Sequence, residues 1–170
     1  IAHRYFALTM TLFTIICVPY WSATTDAYAR KDYAWINHAN KTLNMIMLLL
    51  LAIIVVMTIL SGFVYDIWIQ GKAYVPFSIT LISAIYQFII LLSMRYSYVL
   101  NGFGVLHLQL ILTITASIVY IPLAVFAGRM THDINYLLIV MCLVNLPGLI
   151  VNYIQYHKII KGKATGIWIL

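Results

Sequence analysis

The chain has few charged residues, and it contains no glutamate. Only 8% of its 170 residues are charged, and all four acidic residues are aspartates. A soluble domain carries about 25% charged residues, so a water-soluble globular body is excluded. With 64% hydrophobic residues and a mean hydropathy of +0.99, the chain needs lipid around much of its surface.

Cysteine, histidine and carboxylates are too few and too scattered to indicate a metal site or a catalytic site. Cys17 and Cys142 lie in separate apolar runs without a CxxC partner, which argues against a disulfide framework and a zinc motif. The five histidines have no ligand spacing, and Asp26 and Asp32 form the only near-pair of carboxylates. We therefore expect no enzyme activity, no metal and no cofactor.

Long apolar runs dominate what the sequence does contain. A helix needs about 20 mainly apolar residues to cross the hydrocarbon core of a bilayer, and the period-2 alternation of barrel strands is absent. The runs predict an all-α, polytopic transmembrane helix bundle. Its five spans are expected at about residues 5–24, 43–69, 75–100, 105–128 and 135–156.

Two segments lie outside the predicted spans. Residues 25–42 place Ala, Tyr, Trp and Ile at roughly helical spacing, which predicts an amphipathic helix in the membrane interface. This connector is either a surface element that couples two halves of a transporter or a simple solvated link. Residues 157–170 are expected to form a cytoplasmic tail.

The basic residues predict the orientation of the chain. The net charge is +6, but the cations fall between apolar runs and at the end of the chain, so nucleic-acid binding is not expected. One side of the predicted topology carries Arg30, Lys31, Lys41, Arg95, Lys158, Lys161 and Lys163, and the other carries Arg4, Lys72 and Arg129. The positive-inside rule places the first group, and hence the C-terminus, in the cytoplasm.

The first residues predict a transmembrane helix rather than a signal peptide. Cleavage after Ala23 would place Trp21 at the −3 position, where a small residue is needed. Because the chain begins at Ile1, we expect a piece of a longer protein.

Polar residues within the spans form stripes at helical spacing. The stripes consist of Thr80, Ser83 and Gln87 in span three, Gln109, Thr113, Ser117 and Tyr120 in span four, and Asn145, Gly148, Asn152 and Tyr156 in span five. They are either packing faces between helices or the lining of a hydrated path for a polar substrate. Amides are poorer packing residues than serine or threonine, so Gln87, Gln109, Asn145 and Asn152 are candidates for a substrate path.

Arg95 is the fifth candidate. It is the only strongly basic residue close to the body of a span. If its side chain faces the interior, its guanidinium can fork onto an anionic group such as a phosphate. The alternative is that it extends to the cytoplasmic headgroups from a helix end.

Five strings, which span nearly the whole chain, resemble bacterial polysaccharide flippases in the order of that family's C-terminal half. They are PYWSA leading to TDAYARKDY at 19–33, IWI with GK at 67–72, YVLNGFG with LQL at 98–110, PG with NYIQY at 147–156, and GKATGIW at 162–168. This family comprises the O-antigen translocases of the MATE-like multidrug/oligosaccharidyl-lipid/polysaccharide exporter superfamily. The resemblance rests on the set of strings, because the family has no catalytic signature.

The resemblance implies a fold, a substrate and partners. The fold would be twelve helices in two six-helix lobes, of which this chain supplies about the last five. The substrate would be an oligosaccharide linked to undecaprenyl diphosphate, flipped across the bacterial inner membrane for O-antigen, lipopolysaccharide, capsule or exopolysaccharide synthesis. The partners would be membrane lipid, the missing N-terminal lobe of the same chain and the polysaccharide polymerase machinery.

Two other classes remain open. A cation-coupled small-molecule exporter of the same fold should carry acidic residues deep in its helices. A membrane-embedded accessory subunit or enzyme of cell-envelope glycan assembly should show carboxylates or histidines clustered near the headgroups.

Overall fold

A computed structural model describes residues 1–70 and 74–169. These residues form α1 (Ala2–Ala29), α2 (Tyr33–Ile69), α3 (Phe77–Gly102), α4 (His107–Thr131), α5 (Ile134–Ile160) and a 3-10 turn at Gly166–Trp168. All five helices are long and apolar enough to cross a membrane, which confirms the all-α class and the five spans for the described residues. The twelve-helix, two-lobed arrangement stays a prediction. Gly71 and Lys72, used above for the resemblance and the orientation, and Leu170 of the predicted tail lie outside the described residues.

The helices begin and end at residues with suitable capping chemistry. Asp32 precedes α2 and accepts a hydrogen bond from the backbone N–H three residues on, at 2.9 Å. Asp133 accepts one from the N–H two residues on at the start of α5, also at 2.9 Å. Such caps satisfy N–H groups that have no partner within the helix. Gln70 and His132 adopt the left-handed conformation, with φ of 53° and 51°, and end α2 and α4.

Residues 25–42 do not form a separate connector helix in the structure. The segment up to Ala29 continues α1, and α2 begins at Tyr33, after a short turn in which Lys31 has φ 59°. Some of the apolar residues that suggested an interfacial helix pack against the bundle, and others, such as Tyr33, are exposed. Ile36 is buried, and the ring centroids of Tyr28 and Phe103 lie 4.6 Å apart.

Helix α3 lies at the centre of the bundle. It packs against α1, α2 and α5, whereas α4 packs mainly against α5. Phe6, Phe13, Leu91 and Leu100 are fully buried in the apolar core that α1 and α3 share with their neighbours. This arrangement puts α3, α5 and α4 side by side, with polar residues of all three helices around a common space.

The close approach of α1 and α3 depends on Gly102. A Cβ atom at this position would lie 2.7 Å from both Cβ and Cγ2 of Thr24 and 3.2 Å from the carbonyl oxygen of Trp21. Gly102 is the last residue of α3, and its missing side chain leaves room for α1.

Helix α4 is the only one of the five described helices without a buried residue. None of its residues is buried by the described chain, and its isoleucines, such as Ile114, Ile118 and Ile121, are among the exposed large side chains. Such a surface would aggregate in water but suits a lipid environment. Its polar side chains therefore need partners on α5, on α3 or in the backbone of α4 itself, or they remain unsatisfied in the bilayer.

Candidate functional site: a polar groove between three helices

A groove of about 340 Å³ lies between α3, α4 and α5. Ser93 and Ser97 come from α3. The α4 side consists of Gln109, Leu112, Thr113, Thr115, Ala116, Val119 and Leu123, and the α5 side of Leu143, Val144, Asn145, Pro147, Gly148 and Asn152. Gln109 and Leu123 are 14 positions apart, so the groove follows α4 for about 21 Å at about 1.5 Å per residue. This volume lies within the usual range for small-molecule sites, about 300–1,000 Å³.

Asn152 is the most deeply buried polar residue of the groove, with 4% of its surface exposed. Its amide nitrogen donates to the hydroxyls of Ser93 and Ser97 at 3.3 and 3.0 Å. Its carbonyl oxygen Oδ1 is buried and has no partner among the described residues. One polar atom of Asn152 therefore lacks a partner in this amide orientation.

Gln109 and Asn145 add further amide groups to the lining. Nε2 of Gln109 is buried and has no partner among the described residues. The amide nitrogen of Asn145 donates to the carbonyl oxygen of Met141, one helical turn earlier, at 2.8 Å. The Asn145 amide is thus held by its own helix, and its side-chain oxygen makes no hydrogen bond with the described protein atoms.

Two hydroxyls on α4 are hydrogen-bonded to the backbone of their own helix. Thr113 donates to the backbone oxygen of Gln109 at 2.8 Å, and Ser117 donates to that of Thr113 at 2.9 Å. Hydrogen bonds of this kind satisfy a hydroxyl within its own helix. The buried side-chain atoms of the groove that lack a partner among the described residues are therefore amide atoms.

A second cavity of about 250 Å³ adjoins the groove. It shares Thr113, Ala116, Val144 and Asn145 with the groove and is further lined by Tyr86, Ser117, Tyr120 and Met141. Two aromatic rings thus flank the polar lining at one end. No residue lining either cavity in the described chain is charged.

Arg95 lies outside the groove. Its guanidinium is 4.5 Å from the centroid of the Tyr96 ring, and it donates to the Tyr96 hydroxyl at 3.0 Å and to the side-chain oxygen of Asn40 on α2. Only 4% of the residue is exposed, so its guanidinium is enclosed by the helix bundle. Ser93 and Ser97 are each two residues away, about 200° around the helix, and face the groove from the other side of α3.

Gln87 is also outside the groove. Its amide nitrogen donates to the hydroxyl of Thr9 on α1 at 3.3 Å, and the residue is 4% exposed. This hydrogen bond joins α1 to α3, as a packing interface does. Of the five predicted path residues, the structure therefore brings together Gln109, Asn145 and Asn152, and places Gln87 and Arg95 elsewhere.

Sequence reasoning missed Ser93, Ser97 and Asn40. The two serines are four residues apart, which puts them on one helix face, so their spacing carried a usable signal. Asn40 carried none, because its contact with Arg95 joins residues 55 positions apart.

The end of the chain folds back onto the bundle. The buried amide of Gln155 donates to the backbone oxygen of Trp168 at 3.2 Å, and the ammonium of Lys158 lies 3.8 Å from the Trp168 ring centroid. The turn at Gly166–Trp168 contacts both α4 and α5. The turn therefore connects α4 and α5 at a second place, in addition to the direct contact between the two helices.

By helix length and hydropathy, the chain is a multi-pass membrane protein. Comparison with protein families finds no match, and comparisons with curated proteins and with solved structures find none either. The resemblance to polysaccharide flippases therefore stays a prediction.

Proposed function

We propose that this chain belongs to a membrane transporter that flips a lipid-linked oligosaccharide across the bacterial inner membrane for cell-surface polysaccharide synthesis. The observation that carries the proposal is the uncharged polar groove between α3, α4 and α5, with its unpartnered amide atoms. The resemblance contributes the undecaprenyl-diphosphate carrier and the expectation of a second lobe.

The unpartnered amides favour a path for a polar ligand over a packing face. A buried polar atom without a hydrogen bond costs about 1–3 kcal/mol, and no water is available in the hydrocarbon core to supply one. A packing face would pair its polar atoms across the helix contact, as Gln87 and Thr9 do. In the groove, the side-chain oxygens of Asn145 and Gln109 make no hydrogen bond with the described protein atoms, and a ligand or water entering the groove would donate to them.

The proposed mechanism needs no chemical step. The second lobe would cover the open side of the groove, and the sugar would travel between the lobes while the lipid tail stays in the bilayer. Access would alternate between the two leaflets as the lobes rock against each other. We accordingly propose a transporter rather than an enzyme, with the C-terminus in the cytoplasm.

The described residues offer no observation that favours the alternative functions. A cation-coupled exporter needs a carboxylate within the bundle, but all four aspartates of this chain are exposed. Among the described residues, the one ion pair joins Asp26 and Arg30 at the end of α1. Both side chains are exposed, so the pair does not form a buried coupling site.

The test is transport by the purified protein that contains this chain, reconstituted in liposomes. The substrate is a fluorescent oligosaccharide on undecaprenyl diphosphate, and a glycosidase outside the liposomes reports its arrival in the outer leaflet. Asn145→Leu should lower the flipping rate at least about tenfold, because it removes a hydrogen-bonding group worth about 1.4 kcal/mol in the path.

The matched control is Asn44→Leu. Asn44 is an exposed asparagine on α2 and does not line the groove. Both variants should insert and purify like the unaltered protein. A flipping rate that does not depend on the protein would refute the proposal, and equal rates in the two variants would remove Asn145 from the path.

A further inference from the structure

The groove lacks charge but has both hydrogen-bond donors and acceptors to offer. From this geometry we infer that it binds an uncharged, hydroxyl-rich group, the sugar part of the substrate, and excludes the diphosphate. This inference rests on the proposed function and assigns one part of the substrate to one site.

A sugar hydroxyl fits the free amide oxygens of the groove. The side-chain oxygens of Asn145 and Gln109 make no hydrogen bond with the described protein atoms, and each needs a donor. A hydroxyl group donates one hydrogen bond and accepts others. It therefore also matches the hydroxyls of Ser93 and Ser97, which accept from Asn152 and can still donate.

A phosphate or carboxylate does not fit the same lining. Anions are all acceptor and would leave the side-chain oxygens of Asn145 and Gln109 unpaired. They would also lose their water without gaining a positive charge, because no lining residue of the described chain is cationic. Arg95, the nearest cation along α3, makes its contacts with Tyr96 and Asn40, away from the groove.

The adjoining cavity has a lining that also suits a sugar. The rings of Tyr86 and Tyr120 line it next to Thr113 and Asn145. Aromatic rings present a flat apolar face with a polar tip, and a sugar ring likewise has C–H faces and a hydroxyl rim. Polar amides beside aromatic faces thus suit a saccharide along the length of both cavities.

Binding to the purified protein in lipid nanodiscs tests the inference. Four probes are compared: a short polyprenyl diphosphate carrying a neutral disaccharide, the same compound with a uronic acid in place of one sugar, the polyprenyl diphosphate without sugar, and the free neutral disaccharide. The neutral-sugar compound should bind at least about tenfold more tightly than the sugarless one. The uronic-acid compound should gain nothing over the sugarless one.

A matched pair of charge-introducing variants sharpens the test. Thr113 and Thr11 are both exposed threonines whose hydroxyls donate to the carbonyl oxygen one turn earlier, but only Thr113 lines the groove. Thr113→Lys should raise affinity for the uronic-acid compound about tenfold and lower affinity for the neutral one. Thr11→Lys should change neither.

The outcomes distinguish the sugar assignment of the groove from the flippase proposal. Equal affinity for the neutral-sugar and sugarless compounds overturns the sugar assignment and leaves the flippase proposal standing. Preference for the uronic-acid compound in the unaltered protein overturns the uncharged groove. Binding of the free disaccharide alone, with no binding or flipping of any lipid-linked compound, overturns the flippase proposal and supports the groove assignment. If none of the four probes binds, both fail.

Discussion

Two glycines in this chain provide a direct test of how closely α1 and α3 approach each other. At Gly102 a Cβ atom would meet Thr24 at 2.7 Å, whereas at Gly62, in the middle of α2, it would meet nothing within 4 Å. Alanine is favoured over glycine in a helix by about 1 kcal/mol, and to first order this gain applies to both sites. The difference between Gly102→Ala and Gly62→Ala therefore isolates the steric clash.

The size of the clash follows from the distances. Carbon atoms in ordinary contact lie about 3.5–4.0 Å apart, so two carbon contacts at 2.7 Å at Gly102 require a shift of about 1 Å between the helices. Forcing one methyl group into a packed interface costs about 1–3 kcal/mol. Gly102→Ala should thus be about 1–3 kcal/mol less stable than Gly62→Ala.

The assay is reversible unfolding of the purified protein in mixed micelles, followed by helical circular dichroism. Thr24→Gly removes both clashing carbon atoms, so combining it with Gly102→Ala should recover most of the loss in a double-mutant cycle. Equal stability of the two alanine variants would refute the close approach of α1 and α3.

Three further perturbations address other contacts. Arg95→Lys should destabilise the protein by about 1–3 kcal/mol in the same unfolding assay, because an ammonium cannot fork onto Asn40 and Tyr96 as the guanidinium does; unchanged stability would contradict this. Gln87→Leu should cost about 0.6–1.7 kcal/mol, the range for hydrogen bonds between membrane helices; a cycle with Thr9→Val should show coupling, and additive losses would mean that the pair does not interact. Trp168→Ala should speed proteolysis of the tail by removing the contact with Lys158, whereas Ile167→Ala, at an exposed site, should not; equal cleavage rates would count against the docked tail.

The spans were predictable from the sequence because the need for about 20 apolar residues is local. The helix ends were less so. The segment 25–42 has interfacial composition, but its two parts continue α1 and α2, because Tyr28 and Ile36 find partners within the bundle. The composition of a segment indicates which environments it can occupy, and only the fold shows which residues pack against it.

The residues of the groove were predictable only in part, because spacing along one helix is local and the packing partner of a helix face is not. The stripes on spans four and five were visible as helical spacing, and Gln109, Asn145 and Asn152 do share one groove. The same pattern on span three placed Gln87 in the list, but it pairs with Thr9 across α1. A stripe shows that residues share a helix face, and it leaves open which helix that face meets.

The sequence by itself determined that this is a helical membrane protein with polar faces inside its spans, because hydropathy and periodicity are properties of one segment at a time. The tertiary structure alone decided that Arg95 is buried against Asn40 and Tyr96, that Gln155 holds the tail, and that the groove carries no charge. These features join residues from different helices, and their geometry depends on how the helices pack rather than on any local pattern.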